Sequence, residues 1–167
     1  IGKRALEIKF DRVAPGVCSE AVVDIFFPQE LYELTGSARE RFFQSYNFIS
    51  CPLLYSGQNI ESEIIFKSNS QKPITVTCFI NVFGEEDNYE RINSESVVLF
   101  PDKSQKLKWK IPSTESNPIT QVGFSIESDE ANSGSLILNY LTFTGEPNCK
   151  FFKPQHIGKH KMGVKFS

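Results

Sequence analysis

Alternation of apolar and polar residues with a period of two is the feature that most limits what this chain can fold into. From Pro73 to Phe83, Ile74, Val76, Cys78, Ile80 and Val82 fall on one face, and Thr75, Thr77, Phe79, Asn81 and Phe83 on the other. That period belongs to a half-buried β-strand, not to a helix. Lys106–Ile111 repeats it, with Leu107, Trp109 and Ile111 inward against Lys106, Lys108 and Lys110. Val122, Phe124 and Ile126 alternate with Gly123, Ser125 and Glu127, and Leu136 and Leu138 open a last long strand to about Phe143. Residues 5–10, 21–27, 41–49, 60–66 and 96–100 supply further strands. Turn clusters recur at Gly57, Ser70, Glu86, Asp102, Ser116 and Ala131, at intervals of 13, 16, 16, 14 and 15 residues. Each interval holds one strand and one loop and leaves no room for crossover helices. One short helix is expected at Pro28–Leu34, with Pro28 in its first turn and Gly36 past its end. The expectation is an all-β fold, an antiparallel β-sandwich or jelly roll over residues 1–149, followed by a basic tail or linker at 150–167.

With 167 residues, 40% hydrophobic and 23% charged, the chain is long enough for one domain with a sizeable core. A net charge of −2 gives no general pull towards nucleic acid or an anionic membrane. No apolar run reaches the roughly 18 residues of a spanning helix. From Lys150 onward there are five lysines and no acid, the composition of a solvated linker, with a polyanion-binding arm as the rival. Ile1–Ala5 holds no apolar signal core, and the first residue reads as a cut within a longer protein. Cys18, Cys51, Cys78 and Cys149 match neither paired zinc spacing nor a dense disulfide framework and are expected reduced, Cys78 as a small core residue. No Asn-x-Ser/Thr sequon occurs; together these features fit a bacterial cytoplasmic setting.

Chemistry-bearing clusters are sparse. His156 and His160 are four apart and follow Cys149, so a metal site there has three nameable ligands, set in a Gly- and Lys-rich tail. No other histidine exists, which removes Ser-His-Asp and Cys-His catalysis from the β core. Glu85, Glu86 and Asp87 share one loop, and Asp129 and Glu130 another; such loop tips are mostly solubilising. Asp129, Glu130, Asn132 and Asn139 are the oxygen donors that a sandwich loop can wrap around structural calcium. No phosphate-cradling glycine loop is present. A sugar-binding face needs flat rings beside hydrogen-bonding side chains, and Phe79, Asn81, Phe83, Asn88 and Tyr89 supply both. The alternative is that this second face is covered by another segment or domain, which makes Phe79 and Phe83 core residues. Trp109, set among lysines, reads as core.

Ser45–Gln58 (Ser-Tyr-Asn-Phe-Ile-Ser-Cys-Pro-Leu-Leu-Tyr-Ser-Gly-Gln), then Trp109-Lys110-Ile111-Pro112, Pro118–Ile126 and Gly134–Pro147 occur in an order that resembles galactose-binding-like β-sandwich modules. The modules in question are those attached to bacterial ADP-ribosylglycohydrolase family proteins. About 100 of the 167 residues are covered. Those modules often carry Asp in the final strand where this chain has Asn139. The resemblance implies a non-catalytic accessory module beside a catalytic domain in the same chain, with a carbohydrate or ADP-ribose-like ligand. The rival is a docking or dimerisation domain without a small-molecule ligand.

Overall fold

The computed structural model describes residues 5–25, 54–83, 89–115, 117, 119–151 and 164–166; at 83, 149–151 and 164–166 only the backbone is described. Among these residues the chain forms strands and no helix. The strands are β1 (Leu6–Val13), β2 (Ser19–Asp24), β3 (Asn59–Lys67), β4 (Ile74–Phe83) and β5 (Tyr89–Leu99). They continue with β6 (Ser104–Lys110), β7 (Ile119–Glu127), β8 (Asn132–Thr144), β9 (Cys149–Phe151) and β10 (Val164–Phe166). The expected helix at 28–34 and strand at 41–49 lie outside the described residues. The other expected strands are all present, and β5 begins seven residues before its expected start at 96.

Two four-stranded antiparallel sheets form, in the orders β1-β8-β3-β6 and β2-β7-β4-β5, with β9 and β10 pairing separately. Among β1–β8, every connection passes from one sheet to the other except the β4–β5 hairpin. That is a jelly roll, the architecture expected from the sequence. The pleat sorts the side chains. On β3, Ile60, Ser62, Ile64 and Phe66 are buried, while Glu61, Glu63 and Ile65 face outward. On β4, Ile74, Val76, Cys78, Ile80 and Val82 enter the core between the sheets, joined from β7 by Val122, Phe124 and Ile126. Trp109 packs half-buried against that core.

Close packing sets two further details. Phe10 and Phe66 stack at 6.0 Å between centroids, over Gly134, the register partner of Phe10. A Cβ at 134 would stand 2.4 Å from the Lys67 carbonyl oxygen and 2.9 Å from the Phe66 ring. At the β5–β6 turn, Pro101 precedes Asp102 in the left-handed region (φ 61), and the Lys103 amide donates to the Phe100 carbonyl at 3.2 Å. This is a type II turn, whose third position asparagine and aspartate tolerate.

Ser62 stands out among the described residues of the core: fully buried, with a hydroxyl that has no hydrogen-bond partner among them. An unsatisfied buried hydroxyl costs about 1–3 kcal/mol relative to water. Chemical denaturation of two variants tests this packing. Ser62→Ala should be neutral or stabilise by up to about 1 kcal/mol, and Gly134→Ala should lose about 1–3 kcal/mol through overpacking. A Ser62→Ala loss above about 1 kcal/mol would show that the hydroxyl has a partner after all.

Candidate functional site on the outer face of the second sheet

The outer face of the β2-β7-β4-β5 sheet carries a polar row spanning all four strands. Asp24 pairs in register with Gln121, Gln121 with Asn81 and Asn81 with Arg91. The Asn81 Nδ2 donates to Gln121 Oε1 at 2.6 Å, and Gln121 Nε2 donates to Asp24 Oδ1 at 2.7 Å. The Asp24 carboxylate only accepts, so it dictates both amide orientations in turn. Gln121 must present its NH₂ to Asp24, and its oxygen is then left for the Asn81 NH₂. Asn81 thus spends its NH₂ within the row, and on its other side it pairs in register with Arg91.

The next row is Val22, Gly123, Phe79 and Asn93. Phe79 points away from the core, yet it is 0% exposed. The Arg91 guanidinium carbon lies 3.6 Å above its ring centre. Arg91 Nε donates to Asn93 Oδ1 at 2.9 Å, and its Nη1 donates to the carboxylate of Glu20. Beyond the polar row, Tyr89 closes the face opposite Phe83, half exposed at 48%. Partial burial and then the Asp24 carboxylate push its phenol above the ordinary value.

The other expected site residues are dispersed. Asn88 and the acidic trio Glu85, Glu86 and Asp87 lie outside the described residues, as do His156 and His160. Phe83 and Tyr89, the described residues on either side of 84–88, stand at the opposite end of the sandwich from the 128–131 connection, because β4 runs its full ten residues between them. At about 3.3 Å per residue that separation is roughly 30 Å. Of the four expected calcium donors, Asp129 is exposed and Glu130 is paired with the Lys72 ammonium. Asn132 donates to the Lys72 carbonyl at 3.1 Å. Asn139 sits seven residues further along β8, roughly 23 Å of extended strand away, and donates to Glu63 at 2.9 Å. These four residues therefore cannot share an ion. Among the described residues no group of three or more His, Cys, Asp or Glu side chains is placed to hold one.

An open hollow beside the 128–131 connection is lined by Arg12, Lys67, Ser68, Asp102, Asn132 and Ser133, among others. Its polar groups largely bind one another. Lys67 pairs with Asp102 at 2.6 Å, Ser68 donates to the Ser133 carbonyl at 2.8 Å, and the Arg12 amide donates to Ser133 Oγ at 3.1 Å. The hollow is a set of staples between β1, β3, β8 and the β5–β6 turn. The outer face of the first sheet is a ladder of exposed pairs. In it Lys108 binds Glu61 at 2.7 Å and, with the Thr144 hydroxyl, holds that carboxyl below its ordinary value. Such exposed pairs contribute little.

Reading strands singly missed Glu20, Asp24, Arg91, Asn93 and Gln121. The outward positions of β7 already alternate in the sequence, with Gly123, Ser125 and Glu127 against Val122, Phe124 and Ile126. Only the pairing order shows that they stand beside β4.

No protein-family model matches the sequence, and no curated protein matches it. Solved structures with similar coordinates include the CBM22-1–GH10 modules of Clostridium thermocellum xylanase 10B complexed with xylohexaose. That match is 16% identical, covering 58% of this chain and 18% of that one, with a TM-score of 0.39. The CBM22-2 xylan-binding domain of Paenibacillus barcinonensis Xyn10C is 14% identical over 56% of this chain and 65% of its own, TM-score 0.38. The infectious bursal disease virus Gx strain structure is 16% identical over 81% and 31%, TM-score 0.33. The chain thus spans under two thirds of each. At these scores the matches carry no argument about function, and none of the three is an ADP-ribosylglycohydrolase. The antiparallel two-sheet architecture rests on the strand pairing itself.

Cys18 is exposed and Cys78 buried, and both are free thiols. Burial pushes the Cys78 thiol up to about 12 from 9.0. Between those values the unfolded chain releases this proton and the folded chain keeps it, so stability falls as pH rises through that window. At pH 8, site-resolved alkylation should label Cys18 in the native protein and Cys78 only after denaturation. Equal native labelling of both would contradict the burial.

Proposed function

We propose that this chain is a non-enzymatic carbohydrate-binding β-sandwich and that the outer face of its second sheet takes the saccharide. The observation that carries the reading is the row of aligned amides from Asn81 to Asp24 beside the Arg91 guanidinium held over Phe79 in the next row, which offers the face amide groups and a cationic donor. A sugar hydroxyl both donates and accepts, so neighbouring hydroxyls on one ring can use both at once. Tyr89 adds a half-exposed ring at the end of the row. The carbohydrate-binding modules among the similar structures agree with this reading without supporting it further.

An ADP-ribose-like ligand, with a parent ADP-ribosylglycohydrolase and its catalytic domain as partner, is the finer form of this reading, and only the sequence resemblance favours it. Its diphosphate would meet a face that among the described residues carries Glu20 and Asp24 against Arg91, whose charge Glu20 already offsets. An uncharged saccharide fits that balance better. For the docking alternative, Phe79 offers no exposed surface.

Isothermal titration with uncharged hexasaccharides tests the proposal. Dissociation constants between about 1 mM and 1 μM are expected, with Asn81→Ala weakening binding by about 5- to 20-fold through loss of one hydrogen-bonding position. No heat and no melting shift with any saccharide at about 100 times the upper value, the concentration at which binding would add about 2.7 kcal/mol, would contradict it.

A further inference from the structure

We propose that Arg91, and no aromatic ring, is the floor on which the saccharide rests at this face, and that Phe79, Gly123, Glu20 and Asn93 act on the ligand only through it. The proposal rests on the saccharide-binding reading above. Phe79 is an outward aromatic residue of this sheet, but its ring is fully buried, with the Arg91 guanidinium 3.6 Å from its centre. The ring fits there because residue 123 is glycine: a Cβ would stand 2.4 Å from Phe79 Cζ and 2.8 Å from the Ala21 carbonyl oxygen.

Two further contacts hold the guanidinium. Nε is given to Asn93 on its own strand, and Nη1 to Glu20 on the far edge strand. In the order β2-β7-β4-β5 those are opposite edges, about 14 Å apart at three strand spacings. The Arg91 side chain therefore lies across the middle of the face. One surface of the guanidinium is on the ring and two N–H directions are tied, which leaves its other surface and Nη2 for a ligand. A free arginine loses much rotamer entropy on binding, whereas this one is already fixed. A guanidinium is flat and weakly hydrated, so an apolar sugar face can lie on it while its N–H groups meet hydroxyls at the rim. Glu20 offsets its charge, so the floor does not require an anion.

Arg91→Lys separates this role from simple charge. It keeps the cation but loses both the plane and the fork. Xylohexaose and cellohexaose serve as probes by titration calorimetry, with ¹⁵N spectra of the Arg91 Nε–H. Arg91→Lys should weaken wild-type binding by about tenfold or more, with a melting temperature within about 2 °C of wild type. Phe79→Leu and Glu20→Gln leave Arg91 in place but unheld; each should weaken binding while the Nε–H signal broadens or shifts towards that of a free arginine. Wild-type binding that Arg91→Lys leaves unchanged would overturn this proposal alone. So would Phe79→Leu weakening binding with the Nε–H signal unmoved, because the ring would then be acting directly. Failure of the wild type to bind any uncharged saccharide would overturn the saccharide reading and this proposal with it.

Discussion

A large apolar ring on the outer side of a sheet has to be covered, and the cover over Phe79 organises the face around it. Between the sheets the core closes by ordinary sandwich packing. Outside, Phe79 is 0% exposed, with the Arg91 guanidinium 3.6 Å over its ring. That solution requires glycine at 123 to give the ring room and acceptors on two strands to hold the guanidinium. A cation over an aromatic face contributes about 0.5–2 kcal/mol depending on how dry the contact is. Stability and a preorganised surface arise from the same stack.

The jelly-roll crossings determine which residues can share that surface. Positions 20–24, 77–81, 91–93 and 121–125 come from well-separated parts of the chain, and the β2-β7-β4-β5 order lays them side by side. Within the row, one carboxylate aligns two amides, so the side chains polarise in a single direction from Asn81 to Asp24. The first sheet has polar outward residues too, but its pairs close on each other in a ladder. Its outer face offers no guanidinium held over a ring among the described residues.

Strand positions and their inward residues were readable in the sequence, because the period of two in β3, β4, β6 and β7 is a direct consequence of one-sided burial. The turn clusters at Gly57, Ser70, Asp102 and Ala131 all fall between strands. The first half of β5 was not readable: in Tyr-Glu-Arg-Ile-Asn-Ser-Glu, on an edge strand, only Ile92 and Ser94 are even partly buried, so burial imposes little pattern on it. Phe79 and Asn81 were identified as outward, but the role of Phe79 depends on Arg91, whose place follows from pairing. Likewise, Asn132 and Asn139 sit close in sequence, and the extended geometry of β8 holds them apart.

The central claim is that one face of one sheet meets the ligand. The most direct measurement is side-chain and backbone ¹⁵N chemical-shift mapping during titration with an uncharged hexasaccharide. The prediction is that the Asn81 and Gln121 amide groups and the Arg91 Nε–H move together, with residues 128–133 and the β3–β6 face unmoved. Shifts confined to the 128–133 hollow or to the first sheet would contradict it.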